Sequence, residues 1–323
     1  MPHISVIICA YTEERWDDLV AAVESVHRQT IPPLEVIVVV DHNAVLQERV
    51  RASLSGVVIV ENDQPRGLSG ARNSGIAVAR GDVLAFLDDD AIADPNWLEY
   101  LSSSYADDRV FGVGGAIIPA WPDMRPLWFP EEFDWVVGCT YKGMPTTASL
   151  VRNLIGANMS FRSVVFQEVG GFSSDIGRVG TRPLGCEETE LCIRVRQHWR
   201  DRILLYQPQA KVYHRVSPNR THWKYFFSRC YSEGLSKATI AKRVGAGDGL
   251  SSERAYTFRT LPKGVVRGLV DSILHLRPAG VTRSAAIVSG LTVTTIGYIA
   301  GSLSSRRLPF DSYRRALGRV LRL

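Results

Sequence analysis

Val83-Leu-Ala-Phe-Leu-Asp-Asp-Asp90 is an apolar run that stops on three carboxylates. Five apolar residues in succession suit a strand covered on both faces, as in parallel sheets. Three adjacent carboxylates repel one another, so the run ends where solvent or a ligand can reach it. In open α/β sheets, ligands sit just beyond the carboxyl ends of the strands. Hard divalent cations prefer carboxylate oxygens and commonly share them with substrate phosphates. The segment therefore predicts a strand-end cation site for a phosphorylated substrate. Its competitor is a solvated acidic turn.

Upstream, strand and helix patterns alternate. Ile4–Ala10 is apolar, and Trp16, Leu19, Val20, Val23 and Val26 recur at helical spacing within 13–29. Residues 34–40 are apolar apart from Glu35, 57–60 form another strand candidate, and 69–79 read as a helix. This alternation predicts a mostly parallel central sheet flanked by helices. Downstream, 119–145 is rich in Pro, Trp and Gly and reads as a long irregular excursion, a length usually reserved for binding surfaces. Order resumes over 154–161 and in a helix over 163–169. An acidic helix starts near Glu187, followed by strands over 202–206 and 210–214 and a basic, aromatic helix over 221–235.

With 323 residues, 45% of them hydrophobic, the chain can bury one large core or two smaller ones. The formal charge of +5 is uneven: Arg306, Arg307, Arg314, Arg315, Arg319 and Arg322 face only Asp311 near the end, a composition suited to an anionic surface. Cys9, Cys139, Cys186, Cys192 and Cys230 show no C-x-x-C spacing and are expected to be reduced core residues, with no zinc site or disulfide. The opening residues lack a basic leader with an apolar segment behind it, so no cleaved signal peptide is expected. From about Pro262 the pattern changes. Residues 264–276 are amphipathic, and 284–305 carry no charge over a length that could cross a bilayer. Arginines flank both ends, and the small, hydroxylated residues keep the segment only marginally apolar. Two helices lying on or dipping into a membrane are expected rather than one span, with simple packing on the preceding domain as the alternative.

Four segments share one chemical explanation. Ala10-Tyr11-Thr12-Glu13 and Asp41 lie at successive strand ends and can line one crevice, although Asp41-His42-Asn43 is also good turn sequence. No Gly-x-Gly-x-x-Gly follows the first strand, which argues against a dinucleotide fold. Gly67-Leu-Ser-Gly-Ala-Arg-Asn73 is a glycine-containing helix entry that leaves backbone N–H groups and Arg72 for an anion, or in which Ser69 is a cap. The third segment is Asp88, Asp89 and Asp90. The fourth, Gly185-Cys-Glu-Glu-Thr-Glu-Leu191, puts acids in a first helical turn, where they either cap the helix or accept a proton from an attacking hydroxyl. His214 closes a strand and offers an imidazole to a cation.

Taken in order, Ile4-Ser-Val-Ile-Ile-Cys-Ala-Tyr11, the strand ending at Asp41, Gly70-Ala-Arg-Asn-Ser-Gly75, Phe86-Leu-Asp-Asp-Asp-Ala91, Gly156-Ala-Asn-Met-Ser-Phe161, Val169-Gly-Gly-Phe172 and Glu187-Glu-Thr-Glu-Leu191 resemble family 2 glycosyltransferases of the GT-A fold over about residues 3–240. The resemblance implies an inverting enzyme that moves a sugar from a UDP-sugar, with Mn²⁺ or Mg²⁺, to a hydroxyl. It implies that Ala10, Tyr11, Glu13 and Asp41 frame the nucleoside, that Arg72 lies near the diphosphate, and that Asp88 and Asp89 bind on the ribose and cation side. Asp90, with Asp88 and His214, would hold the cation. Glu188 matches the catalytic base, Glu187 being its competitor, and Glu190 and Asn158 fall to the acceptor. Of the excursion's rings, Trp121, Trp128, Phe129, Phe133 and Trp135 either stack on the acceptor's sugars or form the packed core of that segment. The base is Glu where Asp is common, and Thr12 replaces the usual Asn. Residues 1–115 would bind the nucleotide-sugar, 116–240 would carry the acceptor and the base, and 241–323 would form a helical, basic, membrane-associating extension. The extension points to a glycan or polyprenyl-linked acceptor at the cytoplasmic face of a membrane. A sugar-phosphate nucleotidyltransferase is the nearest rival, but it would carry a basic phosphate loop after the first strand. A nucleic-acid binder is the other, but its basic residues should form one continuous surface, and no nucleic-acid partner is expected.

Overall fold

The computed structural model describes residues 1–174, 185–245, 255–274 and 278–304. Nine strands form one sheet in the order β3-β2-β1-β4-β8-β6-β9-β5, with a short β7 on β9. The strands are β1 (Ile4–Ala10), β2 (Glu35–Val40), β3 (Val58–Glu61), β4 (Val83–Asp88), β5 (Ala91–Ala93), β6 (Val110–Ala120), β7 (Ser149–Leu150), β8 (Asn158–Arg162) and β9 (Ile203–Arg215). The helices are α1 (Trp16–His27), α2 (Ala44–Ser53), α3 (Leu68–Val78), α4 (Trp97–Ser104), α5 (Ser163–Val169), α6 (Glu187–His198), α7 (Trp223–Val244), α8 (Leu261–Leu274) and α9 (Ala279–Leu303).

The continuous apolar runs have a simple cause. Val6 and Ile8 of β1, Val36 and Val38 of β2, and Ala85 and Leu87 of β4 enter one core, shared with Leu19 and Val23 of α1. The alternate residues Ile7, Ile37, Val39, Leu84 and Phe86 enter a second core on the other face. Both sides of these strands are covered, so neither can be polar. β3, β2, β1 and β4 are all parallel, but β8 pairs antiparallel with β4 and with β6, and β5 and β7 run antiparallel to β9. The expectation of a mostly parallel sheet thus holds for the first half, and the whole sheet is mixed.

The helix expected over 13–29 divides into a 3₁₀ turn, Glu13–Arg15, and α1. The two strands expected near 202–214 are one strand, β9, whose pairing with β6 shifts register between Gly115 and Ile117. The excursion over 119–145 is ordered: Phe129 and Phe133 are fully buried, and Arg125 donates two 2.7 Å hydrogen bonds to the Asp134 carboxylate. All five cysteines are free thiols, and burial pushes those of Cys9 and Cys192 up to about 12.

The C-terminal helices pack on α7 and on the excursion. A Cβ at Gly234 of α7 would overlap the Thr294 carbonyl of α9, and one at Gly297 would overlap the Tyr231 carbonyl, so only glycine lets these backbones approach so closely. α8 docks through Arg267, which donates to the buried Glu132 carboxylate at 2.6 Å. Tyr256 fastens the same corner, donating to the Glu132 carbonyl and accepting from the Trp135 indole. α9 is long and apolar enough to cross a membrane by length and composition alone. The arginine-rich stretch 306–322 lies outside the described residues.

Candidate active site

β4 delivers Asp88 at its last position, and the chain turns at once into β5. β5 pairs antiparallel with β9, with Ala91 opposite His214, and the Arg215 amide donates to the Asp90 carbonyl. That register brings an imidazole 124 residues away in sequence to the acidic turn. His214 Nε2 lies 3.1 Å from Asp90 Oδ1 and 4.0 Å from Asp88 Oδ2. One ligand atom from each of Asp88, Asp90 and His214 falls within 4.8 Å of the others. Two carboxylates and an imidazole are a donor set for a hard or borderline divalent cation, so these residues fit one. His214 Nδ1 lies 3.9 Å from the buried Cys139 thiol, leaving Nε2 on the carboxylate side.

The turn is neutralised more fully than its sequence suggests. Arg15, just beyond β1, donates to Asp89 at 2.8 Å and lies 3.1 Å from Asp90, while Arg220 stands 3.6 Å from Asp90. Burial opposes ionisation of Asp90, but His214, Arg15 and Arg220 outweigh it and hold its carboxyl far below the usual carboxylate range. Asp89 goes the other way: burial, reinforced by Asp90, pushes it up to about 7 despite Arg15. Asp89 is therefore the turn's partner for Arg15 and stands apart from the three ligand-bearing residues. Sequence reasoning missed both arginines. Arg15 carries the signal of following a strand end, whereas nothing local marks Arg220.

The opposite wall is the start of α6. Cys186 takes a left-handed conformation, φ 77°, that turns the chain into the helix and aims Glu187 and Glu188 inward. Arg72 of α3 is buried and bridges the two walls, at 2.9 Å from Glu187 Oε1 and 3.6 Å from Asp88 Oδ1, and donates to the Gly156 carbonyl. The other Glu187 oxygen is buried without a hydrogen-bond partner. Glu188 is half-buried, and desolvation, reinforced by Glu187, raises its carboxyl to about 8. Arg72, expected to be open to an anion, is instead already clamped between carboxylates.

Asp88, Arg72, Glu187, Glu188 and His214 line one cavity of about 430 Å³. Trp135, Tyr225, Tyr256, Leu291 and Tyr298 also line it. Ala10, Tyr11, Glu13 and Asp41 stand at the ends of β1 and β2, outside that lining. Asp41 is buried, accepting from Asn62 at 2.6 Å and from the Gly67 amide at 3.0 Å, which fixes the entry to α3.

The residues expected to meet the acceptor are placed differently. Asn158 is fully buried, accepts from the Trp97 indole and donates to the Ala116 and Ala210 carbonyls, joining β8 to β6 and β9. Glu190 is engaged by Arg194, which also donates to the Val169 and Gly171 carbonyls. Trp128 stacks on Trp223 with ring centroids 3.8 Å apart, and Trp121 packs edge-on against Phe129. None of these four lines the cavity, because each already has its hydrogen-bonding or aromatic partners within the fold. The aromatic rings that do line it are Phe133, Trp135 and Tyr141 of the excursion, Tyr225 of α7, Tyr256 of the turn before α8 and Tyr298 of α9.

The family described as "Glycosyl transferase family 2" matches residues 5–170. The chain is 39% identical over 305 residues to the glucosyl-dolichyl phosphate glucuronosyltransferase of Haloferax volcanii, covering 93% of this chain and 96% of that protein. It is 27% identical over 182 residues to glycosyltransferase AglE of the same organism, covering 54% and 58% respectively. Among solved structures, a mannosyltransferase from Pyrobaculum calidifontis, in complex with GDP-mannose and Mn²⁺, superposes with a TM-score of 0.59 at 15% identity over 92% of this chain and 87% of that one. GalNAc-T7, with UDP, GalNAc and Mn²⁺, superposes at 0.51 and 19% identity over 75% of this chain and 51% of that one. The architecture shared with these two is the GT-A fold.

Proposed function

The chain belongs to glycosyltransferase family 2, and from that membership we propose that it transfers a sugar from a UDP-sugar to a hydroxyl of a lipid-phosphate-linked glycan, with inversion at the anomeric carbon. The observation that carries the proposal is a single cavity lined by Asp88 and His214, by Glu188 and by residues of α9. Asp88, Asp90 and His214 would hold Mn²⁺ or Mg²⁺, which when bound supplies Lewis-acid stabilisation of the leaving diphosphate. Ala10, Tyr11, Glu13 and Asp41, at the ends of β1 and β2, lie on the side where the nucleoside would rest.

Glu188 deprotonates the acceptor hydroxyl. It is preferred to Glu187 because Arg72 already engages Glu187, while Glu188 faces the cavity with a carboxyl raised by burial. A general base contributes about 10²–10⁴-fold. Arg72 stands between Asp88 and Glu187, the base's neighbour, and a direct displacement would put the attacking hydroxyl and the leaving group on opposite sides of the anomeric carbon. Residues 1–115 then serve the donor, 116–240 the acceptor and base, and 241–323 the membrane, at its cytoplasmic face. The Haloferax volcanii relative directs the first trial to a glucuronosyl donor and a glucosyl-phosphoprenol acceptor.

The test offers the full-length protein a panel of UDP- and GDP-sugars with glucosyl-phosphoprenol and Mn²⁺. Release of UDP with an elongated lipid of inverted configuration is expected. Formation of a nucleoside triphosphate from pyrophosphate would instead establish a nucleotidyltransferase, and a retained anomeric centre would overturn the mechanism.

A further inference from the structure

The cavity carries charges that the transfer chemistry does not use. Tyr225, Arg229, Glu233 and Lys237 recur every four residues along α7, so all four share one face, and all line the cavity. Glu233 stands between the two cations, 3.1 Å from Lys237 and 3.9 Å from Arg229. Arg229 and Lys237 thus line the cavity with Glu233 between them, and Arg152 lines the same cavity.

Its position relative to the base is defined by contacts. The Cys186 thiol lies 3.8 Å from Glu233, and the Gly185 amide donates to Ser236 of α7, so the cations adjoin the start of α6. Along the wall the order is Asp90, His214, Asp88, Arg72, Glu187 and Glu188, then Glu233 with Arg229 and Lys237. The cations are thus tied, through Glu233, to the turn that leads into the base's helix. α9 runs alongside α7 here, with Leu291, Thr294, Thr295 and Tyr298 facing the cavity. The Thr294 and Thr295 hydroxyls bond back to the Gly290 and Leu291 carbonyls of their own helix, which leaves a surface of methyls and rings.

We infer that Arg229 and Lys237 bind the phosphate that joins the acceptor's sugar to its lipid, with α9 taking the start of the hydrocarbon chain. The assignment rests on the lipid-phosphate-linked acceptor proposed above. An acceptor sugar whose hydroxyl meets Glu188 carries its phosphate past the base, away from the donor, and the α7 cations adjoin the turn into the base's helix. A phosphate there gains charge-assisted hydrogen bonds from an Arg fork and a Lys ammonium. The donor diphosphate is excluded from this role because its side of the cavity is on the other side of Arg72.

The test titrates the full-length protein in a neutral detergent with farnesyl phosphate, farnesol, inorganic phosphate and UDP with Mn²⁺, following tryptophan fluorescence. Farnesyl phosphate is expected to bind more tightly than farnesol or inorganic phosphate. The double variant Arg229→Gln/Lys237→Gln should weaken it about 10–100-fold while UDP–Mn²⁺ binding is retained. Glu233→Gln removes the shared negative charge and should tighten farnesyl phosphate, an opposite effect that a misfolded helix cannot produce. The inference is overturned if the double variant binds farnesyl phosphate like the parent, if inorganic phosphate competes as well as farnesyl phosphate, or if UDP–Mn²⁺ binding falls in parallel. Phosphate-dependent binding without sugar transfer would uphold this site and remove the proposed function. Transfer without phosphate-dependent binding would do the reverse.

Discussion

Asp90 and Asp88 look interchangeable in the sequence but do different work. Asp90 is buried against His214, Arg15 and Arg220, so Asp90→Ala leaves a buried guanidinium without its anion, which costs about 3–5 kcal/mol. Asp88 is more exposed and is only 3.6 Å from one arginine, so Asp88→Asn is the cleaner probe. It should weaken Mn²⁺ binding by about 10–100-fold, measured by calorimetry, with a thermal midpoint close to the parent's. Unchanged Mn²⁺ affinity would remove Asp88 from the site. At Glu188 the sign of the pH effect is set by a carboxyl raised from 4.5 to about 8. With Glu188 as the proposed base, the free enzyme would gain that base only as the proton leaves, so kcat/KM should rise through about pH 8. Stability runs the opposite way: between those two values the folded state binds more protons than the unfolded one, so this contribution is lost as pH rises. Glu188→Gln should abolish most transfer and raise the thermal midpoint relative to the parent at pH 8 more than at pH 5. A parallel pair of curves would refute the shift.

Elements whose cause is local were legible. β1, β2 and β4 announced themselves because both faces are buried, and α6 because its first turn collects acids. β6 was not, since Gly112, Gly114 and Gly115 interrupt its apolar pattern; a Cβ at Gly115 would overlap the Ala210 carbonyl, so the glycine records a neighbour that is remote in sequence. α2 and α4 were likewise missed, the first being short and weakly apolar, although Asn43 caps it by accepting from the Leu46 amide. His214 was legible as a strand-end imidazole, but its meeting with Asp90 depends on the β5–β9 register, and Arg220 on the 3₁₀ turn after it. The same logic of remote contact governs α7 and α9. Gly297→Leu should force them apart, costing about 1–3 kcal/mol in denaturant unfolding and lowering transfer, because α9 is also a wall of the cavity. If the substitution left unfolding unchanged, the close approach of these helices would not hold in solution.

At the scale of the molecule, the C-terminal helices have one side committed to the protein and another bare. Ala286, Ile287 and Val293 of α9 are buried, whereas Val288, Ile296 and Ile299 are 53%, 41% and 51% exposed. On α8, Val266, Leu269, Val270 and Ile273 recur at helical spacing and are all exposed. Exposed apolar patches on soluble proteins mark interaction surfaces, and a lipid-linked acceptor has to be drawn from a membrane. α9 packs on α7 through Gly234 and Gly297, so a crossing helix would have to leave that contact, whereas a helix lying along the surface keeps it. This favours peripheral association, which polar substitutions can test. The triple change Val288→Gln, Ile296→Gln and Ile299→Gln removes three half-exposed apolar side chains, about 2 kcal/mol of transfer energy if each is half buried by lipid. Co-sedimentation with anionic vesicles should fall roughly 30-fold, while binding of UDP with Mn²⁺ in detergent stays as in the parent. Alkaline carbonate should extract the parent protein from vesicles. Retention after carbonate, with vesicle binding indifferent to the three glutamines, would mean that α9 inserts and that its packing on α7 is not the membrane-bound state.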